Sequence, residues 1–225
     1  DPIHTHYNKF GKEFILIDTA GIRKKGKVEE DLEFYSVMRA IRAVEDADVC
    51  ILVLDAVQGL EQQDLNILRL AQKRHKGVVI LVNKWDLIQN KEANTLRDYE
   101  AAIRRKLAPF DDVPILFISA LEKQRIFQAV ETALEVYARR GKRIKTSELN
   151  DTLLPIIENT PPPSVKGRYP KFKYIAQLPT PYPSFAFFVN NPNYVRDTYK
   201  QFLENQLRKH FNFTGVPIEV YMRAK

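Results

Sequence analysis

Val78-Val79-Ile80-Leu81-Val82 runs straight into Asn83-Lys84-Trp85-Asp86, and this junction decides the fold. The apolar run is continuous, not alternating, as expected of a strand covered on both faces by helices. Its carboxyl end is polar, and parallel α/β sheets bind their ligands at that end of their strands. Working outward, similar runs occur at Phe14 to Ile17, Val49 to Leu54 and Ile115 to Ile118. Helical patterns separate them. Leu32 to Val44 follows the acidic Glu29-Glu30-Asp31, which suits the positive end of a helix dipole, and Gln62 to Lys73, Thr95 to Leu107 and Ile126 to Tyr137 complete the set. Asn8 and Gly11 mark a turn, so residues 7 to 12 predict an antiparallel hairpin into the first of these strands. The expected fold is α/β, a mostly parallel sheet flanked by helices.

The pattern changes past residue 138. Arg139-Arg140-Gly141-Lys142-Arg143 reads as a basic linker, dividing the chain into domains at 1–141 and 142–225. A helix follows near Ser147 to Glu158, which Pro155 is expected to kink or restart, and Pro161-Pro162-Pro163 ends it. Strands are predicted at Phe172 to Leu178, Ser184 to Val189 and Pro217 to Met222. Between the last two lies a helix that opens after Asn193, with Val195, Tyr199, Phe202, Leu203 and Leu207 on one stripe. The second domain is therefore a small α+β unit in the order helix, strand, strand, helix, strand.

Charge separates the two parts. The chain has 225 residues and a net charge of +7, and all of the excess falls from Lys142 onward, where 13 basic residues face 6 acidic ones. A neutral domain followed by a basic one points to a polyanionic partner for the second. No apolar run approaches the roughly 20 residues that a membrane span needs. The sequence opens Asp-Pro-Ile-His, which lacks the basic and apolar regions of a secretory signal. Its single cysteine, Cys50, lies in an apolar run and forms no disulfide framework, so a reducing cytoplasm is the expected location.

Three expected strand ends carry polar motifs that suit one ligand. Asp18-Thr19-Ala20-Gly21 follows the first apolar run. A carboxylate there can hold a magnesium ion, directly or through water, and a glycine amide can approach a terminal phosphate unobstructed. In Asn83-Lys84-Trp85-Asp86 the Asp86 carboxylate only accepts hydrogen bonds, and guanine offers it two adjacent donors where adenine offers no such pair. The Lys84 stem can lie across the base, Asn83 can tie neighbouring loops together, and Trp85 packs beside the base. Ser119-Ala120-Leu121 is small enough at its start for backbone N–H groups to reach a carbonyl such as guanine O6.

These three stretches resemble the third, fourth and fifth signature motifs of translation-factor-class P-loop GTPases. Within that class, Asp18 to Lys25, Asp55-Ala56-Val57-Gln58-Gly59 and Asn83 to Asp86 resemble the second GTPase domain of the EngA/Der family. The tail is similar to the KH-like domain of the same family at Thr146 to Asn150, Pro161-Pro162-Pro163 and Phe188-Val189-Asn190. The resemblance implies a GTPase with GTP or GDP and magnesium as ligands, with a potassium ion helping to neutralise phosphate charge. It also implies action in maturation of the large ribosomal subunit, contact with ribosomal RNA, and packing of the GTPase and KH-like domains on each other.

Two departures qualify this. No G-x-x-x-x-G-K-[ST] string is present. The expectation is that the phosphate loop, the first strand and a magnesium-binding threonine lie in residues before Asp1, and that without this central strand the sheet has two unpaired interior edges. Familiar GTPases place a water-orienting glutamine where Ile22 stands, and an isoleucine cannot polarise water. The KH-like part lacks the Gly-x-x-Gly clamp on a nucleic-acid backbone, which leaves Arg196, Lys200, Arg208 and Lys209 on its helix as candidate phosphate contacts. The competing expectation is an RNA- or ribosome-binding module with no nucleotide turnover of its own.

Overall fold

The run at 78–82 is the middle of a three-stranded parallel sheet. The computed structural model describes residues 3–9, 11–18, 38, 40–89, 92–165 and 167–224, in two units, Asp1–Tyr137 and Ala138–Lys225. In chain order the first unit has β1 (Ile3–Lys9), β2 (Lys12–Asp18), helical residues 40–46 and β3 (Val49–Asp55). There follow α1 (Gln62–Lys73), β4 (Gly77–Asn83), α2 (Thr95–Leu107), β5 (Ile115–Phe117) and α3 (Ile126–Arg140). The early part of the helix expected from Leu32 lies outside the described residues, as do Thr19, Ala20, Gly21, Ile22 and the side chain of Asp18.

The sheet order is β3-β4-β5, with Asp55 in register with Asn83 and Val82 with Phe117. Strand β4 is covered on both faces, as its unbroken apolar sequence requires: Val78 to Val82 are all buried. Leu54, Leu68, Ala71, Ile103, Leu107 and Phe117 pack around it. A capping box of Glu61 and Asp64 starts α1. At the start of β4 the backbone approaches α3 so closely that a Cβ on Gly77 would meet Val136 Cγ1 at 2.6 Å.

Strands β1 and β2 form a separate antiparallel hairpin, turned at Gly11 with φ +65°. Strand β3 has one hydrogen-bonded neighbour among the described residues, β4. One face of β3 stays open, with Ile51 37% and Val53 53% exposed, while Leu54 on its other face is fully buried; on β2, Ile15 is 51% and Leu16 44% exposed.

The second unit continues with α4 (Thr146–Asn159), β6 (Phe172–Gln177), β7 (Ser184–Val189), a single 3-10 turn at Pro192–Tyr194, α5 (Asp197–Phe211) and β8 (Glu219–Ala224). Strand β7 is central, antiparallel to β6 and parallel to β8. Leu149 and Leu153 from α4 and Leu203 and Leu207 from α5 are fully buried with Ile175, Phe185, Phe187 and Phe213. No helix among the described residues is long and apolar enough to cross a membrane.

The structure refines three local expectations. Helix α4 continues through Pro155 without restarting; Leu149, Leu153 and Ile157 bury on both sides of the proline, and this outweighs one lost N–H. Strand β8 pairs only from Glu219, because Pro217 cannot donate to the ladder and the register sets Ser184 against Glu219. The expected linker is not slack. Helix α3 runs to Arg140, Lys142 Nζ donates to the Phe211 carbonyl at 2.7 Å, and Arg143 donates to the Leu178 and Thr180 carbonyls at 2.7 Å each. Gln177 accepts the Ile144 N–H and donates to the Lys142 carbonyl, at 2.9 Å each. Nearby, Asn150 accepts the Ile175 N–H and donates to the Ile175 carbonyl, both at 2.8 Å, supplying the partner that edge strand β6 lacks.

Candidate functional site

Strand ends β3, β4 and β5 bring three residue groups together. Asn83 closes β4, and its Oδ1 accepts the Ala120 N–H at 2.9 Å, so one amide fastens the loop after β4 to the loop after β5. The Trp85 N–H donates to the Ile118 carbonyl at 3.1 Å, a second tie between the same loops. Trp85 is buried, with its ring 4.5 Å from Phe117 and edge-on to Tyr99 at 5.5 Å. This aromatic packing fixes the short 3-10 turn Trp85–Leu87, while the Asp86 carboxylate at its centre stays exposed to solvent.

The loop after β5 closes on itself. Ser119 is fully buried, its hydroxyl accepts the Glu122 N–H at 3.1 Å, and its carbonyl accepts the Gln124 N–H at 2.9 Å. Lys123 and Arg125 take left-handed φ values of 54° and 59°, and Arg125 donates to the Phe117 carbonyl at 3.2 Å. Leu121 projects from this loop, 82% exposed. The result is a loop of small backbone fastened to the loop that carries the exposed Asp86 carboxylate.

Lys84 is the strained member. Its backbone is left-handed, φ 62° and ψ 32°, a region costing a non-glycine residue about 1 kcal/mol or more and retained only where the surroundings over-determine it. Its Nζ lies 2.7 Å from Asp55 Oδ2 at the end of β3. That bond is the main cause holding the Asp55 carboxyl below the usual carboxylate range, against the opposing effect of burial, with the Val57 N–H at 2.9 Å adding to it. The sequence motifs assign Asp55 no contact of its own, although Asp55 to Gly59 is among the stretches that carry the family resemblance.

Of the residues singled out by sequence, the structure thus brings together Asn83, Lys84, Trp85, Asp86, Ser119, Ala120 and Leu121. Asp18 ends β2, on the separate hairpin. The four basic candidates differ, and Arg196 is not on the helix but precedes α5 as its N-cap. Arg208 is 12% exposed and donates to Glu204, to the Phe213 carbonyl at 3.2 Å and to the Val216 carbonyl at 3.0 Å, fastening the chain that follows the helix. Lys200 pairs with Asp197 at 2.8 Å. Arg196 and Lys209 are exposed.

With this geometry in view, likeness to known proteins decides the family. A profile described as the elongation factor Tu GTP binding domain matches residues 4–158, and one described as the KH-domain-like part of EngA bacterial GTPase enzymes matches residues 143–223. The whole chain is 61% identical to GTPase Der of Christiangramia forsetii and 57% identical to GTPase Der of Porphyromonas gingivalis, covering 52% of each. The chain belongs to the family of the elongation factor Tu GTP binding domain, and over its whole length it is similar to EngA/Der GTPases. It spans about half the length of these curated relatives. Era in complex with MgGDPNP and nucleotides 1506–1542 of 16S ribosomal RNA shares the fold, with a TM-score of 0.51 and 20% identity over all of this chain and 80% of the other. The chain therefore has a P-loop-GTPase-like α/β unit followed by a KH-like α+β unit.

Proposed function

We propose that this chain supplies guanine recognition and RNA contact to a regulatory GTPase of large-subunit ribosome assembly. The observation that carries the first half is the pairing of an exposed Asp86 carboxylate with a loop, residues 119–121, held beside it by Asn83. Asp86 would accept from the guanine ring N–H and exocyclic amine, and a base without that pair leaves the carboxylate unsatisfied. Small backbone at Ser119 and Ala120 admits the base carbonyl, and Leu121 gives it an apolar neighbour. Asp18 is the proposed holder of magnesium through water, with potassium as a second cation; together they would neutralise phosphate charge in GTP hydrolysis.

The second half rests on the net positive charge that begins at Lys142. Arg196, Lys209 and, once released from Asp197, Lys200 form the phosphate-facing set, contacting ribosomal RNA with little dependence on base sequence. Arg208 serves the fold instead. In the full-length protein, Asp86→Asn should move preference from GTP toward XTP, because an amide supplies a donor to the xanthine O2. Nucleotide binding with unchanged preference removes Asp86 from base reading. Absence of any guanine-nucleotide binding leaves a ribosome-binding module without turnover. Arg196→Glu with Lys209→Glu should lower the salt dependence of ribosomal RNA binding by about two units of slope.

A further inference from the structure

Both ends of the Lys84 side chain are held. Its Cα is fixed in left-handed backbone between Asn83, whose carbonyl accepts the Ala56 N–H at 2.8 Å, and Trp85, bonded to Ile118. Its ammonium is fixed 2.7 Å from Asp55, which is 29 residues away in sequence but adjacent across the β3–β4 ladder. The anchor itself cannot swing, since Asp55 Oδ1 accepts the Val57 N–H while Oδ2 takes the lysine. Exposure distinguishes the two partners: the Asp55 side chain is 16% exposed and that of Lys84 53%. The carboxylate is thus seated in the strand end, and the four-carbon stem that it tethers stays open.

Two other ion pairs in the first unit are built differently. Arg74 and Glu45 meet at 2.6 Å with both side chains largely exposed, at 50% and 42%, and Arg97 and Asp98 at 3.6 Å with 76% and 70%. Such pairs contribute little and fix little. Lysine is a flexible point charge, and an untethered one would sample many rotamers above a flat ring.

We infer that Asp55 is a positioning residue for base recognition, holding the Lys84 stem as a strut across the face of the guanine ring. The inference rests on the guanine-binding reading of this site. Asp55 touches no nucleotide and acts only through Lys84, so it sets how long the base stays bound, while Asp86 selects which base binds.

The test is a double-mutant cycle in the full-length protein, read as the dissociation rate of a fluorescent GDP analogue. Asp55→Asn should speed release about two- to fivefold, the scale of an ion pair with one exposed partner. Lys84→Met, which keeps a stem but removes the tether point, should speed it similarly. The double variant should be no faster than either single one, because both break one connection. Asp55→Glu should restore part of the slow release. Thermal unfolding without nucleotide controls for folding, and a stability loss alone cannot produce the non-additive off-rates. Additive effects, or an unchanged rate in Asp55→Asn, overturn the strut while leaving guanine binding intact. A parent protein that binds no guanine nucleotide overturns the site reading itself, and the strut with it.

Discussion

Strands β7 and β3 teach different lessons about where this chain keeps its stability. β7 has a hydrogen-bonded neighbour on each side, and Phe185, Ala186, Phe187 and Val189 on it are fully buried. β3 has one such neighbour among the described residues and leaves Val53 53% exposed. Both are apolar and β-branched or aromatic in sequence, so composition alone does not separate them. The difference lies in what surrounds each strand: burial of apolar area stabilises only where neighbours remove that area from water.

The sharpest way to break this comparison is to remove apolar surface from one residue on each strand. Phe187→Ala should destabilise the second unit by about 3–5 kcal/mol, whereas Val53→Thr in the same chain should change stability by less than about 0.5 kcal/mol. Denaturant unfolding read by segment-resolved hydrogen exchange would check this. Comparable losses at the two sites would mean that β3 is covered in solution.

A smaller effect sharpens the contrast within the second unit. Arg208→Met removes donors to Glu204 and to the Phe213 and Val216 carbonyls, and should cost about 1–3 kcal/mol. Lys209→Met, one residue along on the exposed side, should be close to neutral in the same urea titration. If the two variants unfold alike, Arg208 is surface charge after all.

The smallest effect is a pH dependence. Burial pushes the Tyr199 phenol from 10.0 up to about 12, and its hydroxyl donates to the Thr160 carbonyl at 2.6 Å. The folded state therefore prefers the protonated phenol more than the unfolded chain does. That stability is complete below pH 10 and is lost as pH rises through 12. Tyr199→Phe should cost about 1 kcal/mol at pH 8, and the gap to the parent should close between pH 10 and pH 12. A gap that stays constant to pH 12 would show that the buried phenol does not titrate with folding.

Much of this was legible in the sequence because continuous apolar runs can be satisfied only between layers. Val78 to Val82 announced a central strand, and the order helix, strand, strand, helix, strand in the tail was realised element for element. The loops ending in Asp86 and Leu121 were legible because their chemistry is local to a strand end. Asp55 was not, since its meaning comes from the register that sets it opposite Asn83, a long-range fact with no local signature. Arg208 was misleading for a similar reason. Helical spacing places it off the buried stripe, but the chain after α5 folds back and presents carbonyls to it. Pro155 shows the converse, a local rule yielding to three buried apolar side chains on the same helix.

The fastened stretch from Lys142 to Ile144 has a consequence for how this molecule meets proteases. Arg139, Arg140, Lys142 and Arg143 offer four closely spaced trypsin sites, and on sequence alone this stretch invites early cleavage. A protease must draw several residues into an extended conformation across its cleft, so cleavage waits on local opening. Here the first two basic residues end a helix, and the last two have their side-chain nitrogens on the carbonyls of Phe211, Leu178 and Thr180. Opening the stretch means stripping the edge of β6 and the end of α5 together. The most basic junction in the chain is therefore shielded by its own charges, which spend themselves on backbone carbonyls before any enzyme can reach them.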